Sequence, residues 1–407
     1  MTSLETAFEK ASADGTLAGA ALLAATTDKG IVYSKAFGKR SLEKDAQDMT
    51  VDDVMQLYSA TKLVTSISAM QLVERGLFTL DEDVSKVLPE IGGLKVLTGM
   101  NGSEPIFEEP KSKITLRQLL SHSSGLAYPF LSPTIAEYNT AQGRPPFPPF
   151  LTVTESFTFP LTYQPGISWE YSSSIDWAGL LISRVAGVSL EEYTQQNIAS
   201  PLGIDDMTYF LAGKPDLQSR LVSIVNRDPS IPDGKGKVVP SEGPGVMSQV
   251  KEELGGAGLH TSAHSYIKVL HSLLANDEKL LKRETVDSMF EPQLTPASQQ
   301  ALQATFDHIP KGKTGSAPPF IGEFAQVQHD FGLGGMLSME DVDSGSKKWR
   351  RKGYMFWSGM ANWYWFIDRE AGLCGIFGTQ VMPNADEQVR EMISVFEKGM
   401  YERFTFA

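Results

Sequence analysis

Ser59 and Lys62 stand three residues apart, a spacing that can hold a nucleophile and its base. On a helix, positions i and i+3 share a face, so the lysine amine can reach the serine hydroxyl. An uncharged amine can take the hydroxyl proton while the serine oxygen attacks a carbonyl group, which produces a covalent acyl-enzyme. A lysine amine is uncharged near neutral pH only where burial or a neighbouring cation disfavours its charge. The pair therefore predicts acyl-enzyme chemistry and a buried amine.

The spacing alone is a weak indicator, because four further S-x-x-K matches occur in the sequence. These begin at Ser41, Ser248, Ser265 and Ser344. Ser59 differs from them because an apolar pattern with helical spacing follows it and ends at Gly76. That pattern consists of Leu63, Val64, Ile67, Met70 and Val73. The unpaired N–H groups and positive dipole at the start of such a helix would favour an oxyanion.

A tyrosine hydroxyl near this pair could relay the proton, and Tyr171 is the candidate. It follows the turn Pro165-Gly166 and precedes a second apolar helical segment, Trp177–Val185, so its side chain can project into a cleft. Taken without further context, a tyrosine at such a place is more often a core or surface residue. Both interpretations of Tyr171 stay open at this point.

Several segments together resemble the serine β-lactamase-like esterases, which share the fold of class C β-lactamases and penicillin-binding proteins. The segments are Ser59–Lys62, Leu119–Leu126, Pro165-Gly166 with Tyr171, Gly255–Leu259 and Phe331–Gly335. The likeness is closest to the fungal lovastatin-pathway acyltransferases and related statin esterases. Further segments like that branch are Asp176–Gly179, Pro201–Ile204, and Ile367-Asp368 leading to Leu373-Cys374. Because the segments run in order over nearly the whole chain, they are more specific together than any one motif.

The resemblance implies that Ser59 attacks an ester or thioester carbonyl and carries the acyl group. Lys62 and Tyr171 would share the general-base and general-acid work. The oxyanion hole would combine the N–H of Ser59 with one from the strand near Ser358–Met360. Within that strand, Trp357 would face the cleft if its side chains alternate as expected. Trp357, Ser358, Gly359 and Met360 are therefore the predicted substrate and oxyanion residues.

Two departures from the β-lactamase pattern argue against β-lactam substrates. Ser173 stands where β-lactamases have an asparagine two places after the tyrosine, and Trp357-Ser358-Gly359 replaces the Lys-Thr-Gly strand motif. Both changes remove groups that recognise a β-lactam carboxylate. A literal Lys313-Thr314-Gly315 occurs earlier in a polar segment, and we assign it no catalytic role.

The order of elements predicts an α+β fold. A hairpin is predicted at Ala20–Ala25 and Gly30–Phe37, and strands at Tyr354–Gly359, Asn362–Asp368 and Leu373–Thr379. These would form one antiparallel sheet flanked by the N- and C-terminal helices, with a mainly helical insertion against it. We expect a single catalytic unit over 1–407, with the sheet layer from about 1–58 and 320–407 and the helical region at about 59–319. Within that region, 296–319 is predicted to be polar and mobile.

Composition limits the possible partners. The charges sum to −13 and the pI is about 5.0, which argues against binding to nucleic acid or to anionic membranes. The single cysteine, Cys374, excludes an internal disulfide and a cysteine-rich metal site. No apolar run approaches the ~20 residues that span a bilayer. We expect a cytoplasmic monomer that needs no cofactor or metal.

Other catalytic designs fit the sequence poorly. The sequence has no G-x-S-x-G motif, so it lacks the nucleophile turn of an α/β-hydrolase. His260 and His264 have the spacing of zinc ligands, but they do not lie in a His-Glu-x-x-His motif. The resemblance implies that His122 lies in a turn. We expect structural roles for His122, His260 and His264.

Three hypotheses on function remain. The first is a serine acyltransferase that moves an acyl group from a thioester or ester to a small-molecule alcohol, with secondary-metabolite biosynthesis as the setting that the resemblance implies. An acyl-carrier domain is one candidate for the donor. The second is an ester hydrolase of the same fold, which differs only in whether water resolves the acyl-enzyme. The third is an inactive scaffold, which predicts loss of Ser59, Lys62 or Tyr171, whereas all of them are present.

Overall fold

The computed structural model describes residues 3–243, 245–307, 327–344 and 347–405. Its central element is a seven-stranded sheet. In chain order the strands are β1 Gly19–Thr26, β2 Gly30–Gly38, β3 His329–Phe331, β4 Met336–Ser338, β5 Met355–Ser358, β6 Tyr364–Asp368 and β7 Leu373–Gly378. Across the sheet they follow the order β2-β1-β7-β6-β5-β4-β3, and all neighbours are antiparallel. The predicted α+β fold with one antiparallel sheet is confirmed.

The longer helices surround this sheet and fill the middle of the chain. They are α1 Leu4–Ala13, α2 Thr61–Glu74, α3 Ser174–Ala186, α4 Ala263–Ala275, α5 Pro296–Asp307 and α6 Glu387–Phe404. α1 and α6 lie against one face of the sheet, where Phe377 of β7 contacts Phe8 at 5.9 Å and Phe396 at 6.4 Å between ring centroids. The predicted terminal helices are therefore both present.

Both faces of the middle strands are covered. Every residue of β1 and β7 is buried, and alternate side chains of a strand point to opposite faces. α4 packs against the same two strands and supplies the second cover. Its Tyr266 reaches Trp363 at the β5–β6 turn, 5.7 Å between ring centroids. One helix of the predicted helical region thus belongs to the sheet layer instead.

Shorter elements connect these parts. The short helical segments are Tyr58–Ala60, Val84–Lys86, Pro89–Gly92, Leu116–Leu120, Pro133–Ala141, Val153–Phe157, Leu190–Thr194, Gln195–Ala199, Ser200–Leu202, Pro215–Ser219, Pro232–Gly234 and Arg283–Met289. The strands outside the main sheet are Val54–Gln56, Val96–Asn101, Glu104–Glu108, Val225–Arg227, Val238–Pro240, His260–Ser262, Val342–Ser344, Lys347–Arg350 and Val381–Met382.

The prediction of a polar, mobile segment at 296–319 is wrong in its first part. Residues Pro296–Asp307 form α5, which starts with proline in its first turn after Thr295, whose hydroxyl accepts from the Ser298 N–H at 3.2 Å. Its buried face consists of Ser298, Leu302 and Phe306, spaced four residues apart. The rest of that segment, with Lys313-Thr314-Gly315 and the expected boundary near 320, lies outside the described residues.

The end of β5 meets the start of α2 at a close backbone contact. A Cβ atom at Gly359 would lie 2.2 Å from the carbonyl oxygen of Leu57, a separation that real Cβ atoms do not adopt. Leu57 precedes the 3₁₀ turn Tyr58–Ala60, which leads directly into α2. The absence of a side chain at 359 therefore lets the sheet approach the segment that carries Ser59.

Gly359→Ala should destabilise the fold, because the new methyl group would force the β5 end away from Leu57. Overpacking of this kind costs about 1–3 kcal/mol of unfolding free energy, which chemical denaturation can measure. Gly93→Ala is the matched control, since a Cβ there meets nothing within 4 Å. Equal stability of the two variants would contradict the close contact.

Candidate active site

Ser59 lies in the turn Tyr58–Ala60, which hydrogen bonds from two other segments hold in place. Tyr58 has φ +47°, in the left-handed region that costs a non-glycine residue about 1–3 kcal/mol, so the surroundings must hold it there. The Tyr266 hydroxyl donates to the Ala60 carbonyl at 2.7 Å. The N–H of Leu57 donates to the Leu259 carbonyl at 2.9 Å. Ser59 is thereby fixed at the start of α2, as its sequence context predicted.

Lys62 lies one helical turn beyond Ser59 and is 1% exposed. Its Nζ atom is 3.4 Å from Ser59 Oγ, 3.1 Å from Tyr128 Oη and 2.7 Å from the carbonyl oxygen of Gly256. Lys62 belongs to a stretch of α2, Thr61–Leu72, in which every residue is buried. The structure therefore brings the predicted nucleophile and base within reach, with the amine held away from solvent.

Two partners of Lys62 are themselves joined through Asp176. The Tyr128 hydroxyl donates to Asp176 Oδ2 at 2.6 Å, and the N–H of Gly256 donates to Asp176 Oδ1 at 2.8 Å. Asp176 lies in the first turn of α3 and is fully buried. Burial raises the pKa of Asp176, while Lys62 in its protonated form and the two hydrogen bonds oppose that rise. Burial and the Asp176 charge hold the pKa of Tyr128 well above its usual value.

Tyr171 belongs to the same cluster through its ring. Lys62 Nζ is 4.8 Å from the Tyr171 ring centroid. The ring packs against His122 at 4.8 Å and Trp357 at 5.1 Å between centroids. Within the described part of the chain, the buried Tyr171 hydroxyl has no hydrogen-bond partner. The structure thus brings the Tyr171 ring to Lys62, although the tyrosine hydroxyl that is bonded to the lysine is that of Tyr128.

The predicted oxyanion strand lies at the edge of this cluster. Trp357 contacts Tyr171 and also Phe331, at 5.5 Å between ring centroids, so it faces the site as expected from strand alternation. Gly359 is in close contact with Leu57, two residues before Ser59. Ser358 and Met360 flank Gly359 in the chain and share this edge.

Sequence reasoning missed Tyr128, Asp176 as a site residue, and the Gly256 carbonyl. Tyr128 comes two residues after the Leu119–Leu126 segment, and nothing in its spacing distinguishes it from other tyrosines. Asp176 carried a usable signal, because an acidic residue between Ile175 and Trp177 in an apolar helix is rarely buried without a partner. Backbone carbonyls have no sequence signal at all.

The histidines have structural surroundings. His122 is buried, and its Nδ1 lies 3.0 Å from the Ser172 hydroxyl beside Tyr171. Burial holds the pKa of His122 well below its ordinary value, and Lys62 lowers it further when its amine is protonated, so the His122 ring stays neutral. His264 Nδ1 lies 2.7 Å from Asp52 at the surface, and burial lowers the pKa of His260 to about 4.

Two further features concern metals and membranes. Among the residues that the structure describes, no group of three or more His, Cys, Asp or Glu side chains is arranged to hold a metal ion. In the same ranges, no helix has the length and apolar character needed to cross a bilayer.

Comparison with known proteins identifies the family of this chain. The family model described as beta-lactamase matches residues 4–396, nearly the whole chain. The chain belongs to the beta-lactamase family. The resemblance drawn from the motifs is thereby confirmed, and the family's fold agrees with the antiparallel sheet and flanking helices described above.

Individual members of the family are similar over their full length. Monacolin J acid methylbutanoyltransferase from Aspergillus terreus is 36% identical, with 98% of this chain and 95% of that protein covered. Lovastatin esterase from Penicillium rubens is 37% identical, with 99% of this chain and 98% of that protein covered. The structure of unliganded simvastatin synthase from Aspergillus terreus superposes with a TM-score of 0.88 at 35% identity, covering 99% of this chain and 98% of that one.

Proposed function

We propose that this protein is a serine acyltransferase that moves an acyl group from a thioester or ester donor to a small-molecule alcohol through an acyl-enzyme on Ser59. The observation that carries the proposal is the buried Lys62 amine, 3.4 Å from Ser59 Oγ and hydrogen-bonded to uncharged acceptors. An amine held this close to a serine hydroxyl can take its proton, as a base beside a nucleophile does.

In the first half-reaction, Ser59 Oγ attacks the donor carbonyl carbon as its proton passes to Lys62 Nζ. The N–H groups of Ser59 and of the strand end at Ser358–Met360 would hold the negative oxygen of the tetrahedral intermediate, a contribution worth about 10²–10³ in rate per donor. The C–S or C–O bond to the leaving group then breaks. The leaving group takes a proton from Lys62 or Tyr171, and the acyl group remains on Ser59.

In the second half-reaction, the alcohol oxygen attacks the acyl carbon and gives its proton to the Lys62–Tyr171 pair. The intermediate collapses, Ser59 recovers its proton, and the new ester leaves. The Tyr171 ring lies 4.8 Å from Lys62 Nζ, and among the described residues its hydroxyl has no hydrogen-bond partner. These two features support a role for Tyr171 at this step, because its hydroxyl can bond to an incoming or departing oxygen.

Ester hydrolysis is the second candidate function. It uses the same acyl-enzyme and differs only in that water attacks the acyl carbon. The observation in its favour is that lovastatin esterase and monacolin J acid methylbutanoyltransferase are almost equally similar to this chain, at 37% and 36% identity.

The relatives also suggest substrates. The name of the methylbutanoyltransferase supports a short branched acyl group and a small-molecule alcohol for this enzyme. An acyl-carrier domain is our candidate for the thioester donor. We further propose that the enzyme acts as a cytoplasmic monomer.

Mixing the protein with a panel of acyl thioesters should raise its intact mass by one acyl group, and peptide mapping should place that group on Ser59. Ser59→Ala should show no adduct. Ser66→Ala, which removes another buried serine hydroxyl of α2, should acylate like the wild type. An adduct on a different residue, or neither adduct nor turnover across a broad panel, would contradict the proposal.

Lys62→Ala and Tyr171→Phe should each lower kcat by at least ~10²-fold, the usual contribution of a general acid or base. Steady-state kinetics with an activated ester can measure both losses. Tyr193→Phe is a suitable control, because its hydroxyl bonds to Arg75 at 3.1 Å, away from Ser59. Activity retained in Lys62→Ala would rule out this lysine as the base.

A further inference from the structure

Asp176 is joined to two of the three hydrogen-bond partners of the Lys62 amine, which gives it a role beyond filling the core. From this arrangement we infer that Asp176 is a positioning residue, which directs the lone pair of Lys62 at Ser59 by fixing the proton of the Tyr128 hydroxyl. The inference rests on the proposed function, since it concerns how the base meets the nucleophile.

The protons around Lys62 Nζ determine which way its lone pair points. An uncharged amine has two N–H bonds and one lone pair in a tetrahedral arrangement. Three oxygen atoms surround it: Gly256 O at 2.7 Å, Tyr128 Oη at 3.1 Å and Ser59 Oγ at 3.4 Å. A carbonyl oxygen can only accept, so the Gly256 contact uses one N–H. The direction of the lone pair then depends on Tyr128.

Asp176 fixes the direction in which the Tyr128 hydroxyl donates its proton. An ionised carboxylate only accepts, and Asp176 Oδ2 is 2.6 Å from Tyr128 Oη. The single tyrosine proton therefore points at Asp176, and the oxygen of Tyr128 is left to accept the second N–H of Lys62. The remaining position on Nζ, the lone pair, faces Ser59 Oγ and can receive its proton.

The same carboxylate holds the other partner. Asp176 Oδ1 accepts the Gly256 N–H at 2.8 Å, while the Gly256 carbonyl accepts from Lys62. Lys62, Tyr128, Asp176 and Gly256 thus form a closed ring of hydrogen bonds. A Cβ at position 256 would lie 2.3 Å from Asp176 Oδ2, so the close approach requires glycine there. After proton transfer, the third N–H of the charged amine still has an acceptor in Ser59 Oγ.

An asparagine at position 176 would reverse the direction of the hydrogen bond with Tyr128. Its amide oxygen could still accept from Gly256, but its NH₂ group would donate to Tyr128 Oη. The tyrosine proton would then turn toward Lys62 and occupy the lone pair that Ser59 needs. A comparable Asp→Asn reversal of proton direction in the Ser-His-Asp triad of serine proteases costs about 10⁴ in kcat.

The test compares Asp176→Asn, Tyr128→Phe and the double variant by the rate constant of Ser59 acylation from an activated acyl thioester. Asp176→Asn should lower that rate constant by ~10²-fold or more, with the substrate concentration for half-saturation almost unchanged. Tyr128→Phe should lose roughly tenfold, because one N–H acceptor is removed without blocking the lone pair. The double variant should acylate faster than Asp176→Asn alone, since the blocking hydroxyl is gone.

A matched control is Asp206→Asn, which alters another buried aspartate that accepts a hydroxyl bond, from Thr261 at 2.6 Å. Its acylation rate should stay near the wild-type value even if its stability falls. A purely structural role for Asp176 would instead make the double variant slower than either single variant. That result, or a rate within roughly threefold of wild type for Asp176→Asn, would overturn the inference.

If Asp176→Asn does not fold, Tyr128→Phe decides alone. A roughly tenfold lower acylation rate constant, at an unchanged half-saturating substrate concentration, supports the inferred ring of hydrogen bonds. An acylation rate constant within about twofold of wild type overturns the inference. The proposed function has a separate readout in the same experiment. Failure of the wild-type protein to acylate at Ser59 would overturn that proposal, whereas normal wild-type acylation with an unaffected Asp176→Asn would overturn only the inference about Asp176.

Discussion

The structure around Ser59 depends on the burial of one amine. A lysine nitrogen that has left water must find acceptors in the protein, because an unpaired buried polar group costs several kcal/mol and an unpaired charge more. Here the acceptors come from distant parts of the chain: Tyr128 lies 66 residues and Gly256 lies 194 residues from Lys62. The hydrogen bonds of this amine therefore bring α2, the loop before residue 130 and the 255–259 segment together in one site.

The sheet contributes the other wall of the site. Its β5 end reaches the Ser59 turn because Gly359 has no side chain to keep it from Leu57. Trp357, on the same strand, then packs against Tyr171 at 5.1 Å between ring centroids. The helical part of the chain thus supplies the proposed nucleophile, the proposed base and the ring of hydrogen bonds. The sheet supplies the backbone edge where a carbonyl oxygen would bind under the proposed mechanism.

Sequence reasoning succeeded where a pattern is local. The terminal strands and helices, and the closeness of the Lys62 amine to the Ser59 hydroxyl, were predictable because alternation and helical spacing act within a few residues. Tyr128 was missed because its hydrogen bond to Lys62 depends on how two separate segments pack, which no spacing encodes. α5 was missed for a different reason. Its buried stripe, Leu302 and Phe306 with Ser298, is short, and the polar residues around it dominated the composition.

The central claim is that one acyl-enzyme on Ser59 precedes the choice between alcohol and water. The most direct measurement takes two donors with the same acyl group and different leaving groups, at a fixed alcohol concentration, and compares the ratio of ester to free acid produced. If both donors pass through the same acyl-enzyme, the leaving group has departed before the choice is made, and the two ratios will be equal. A ratio that changes with the leaving group would mean that the alcohol attacks the donor directly, and it would contradict the account.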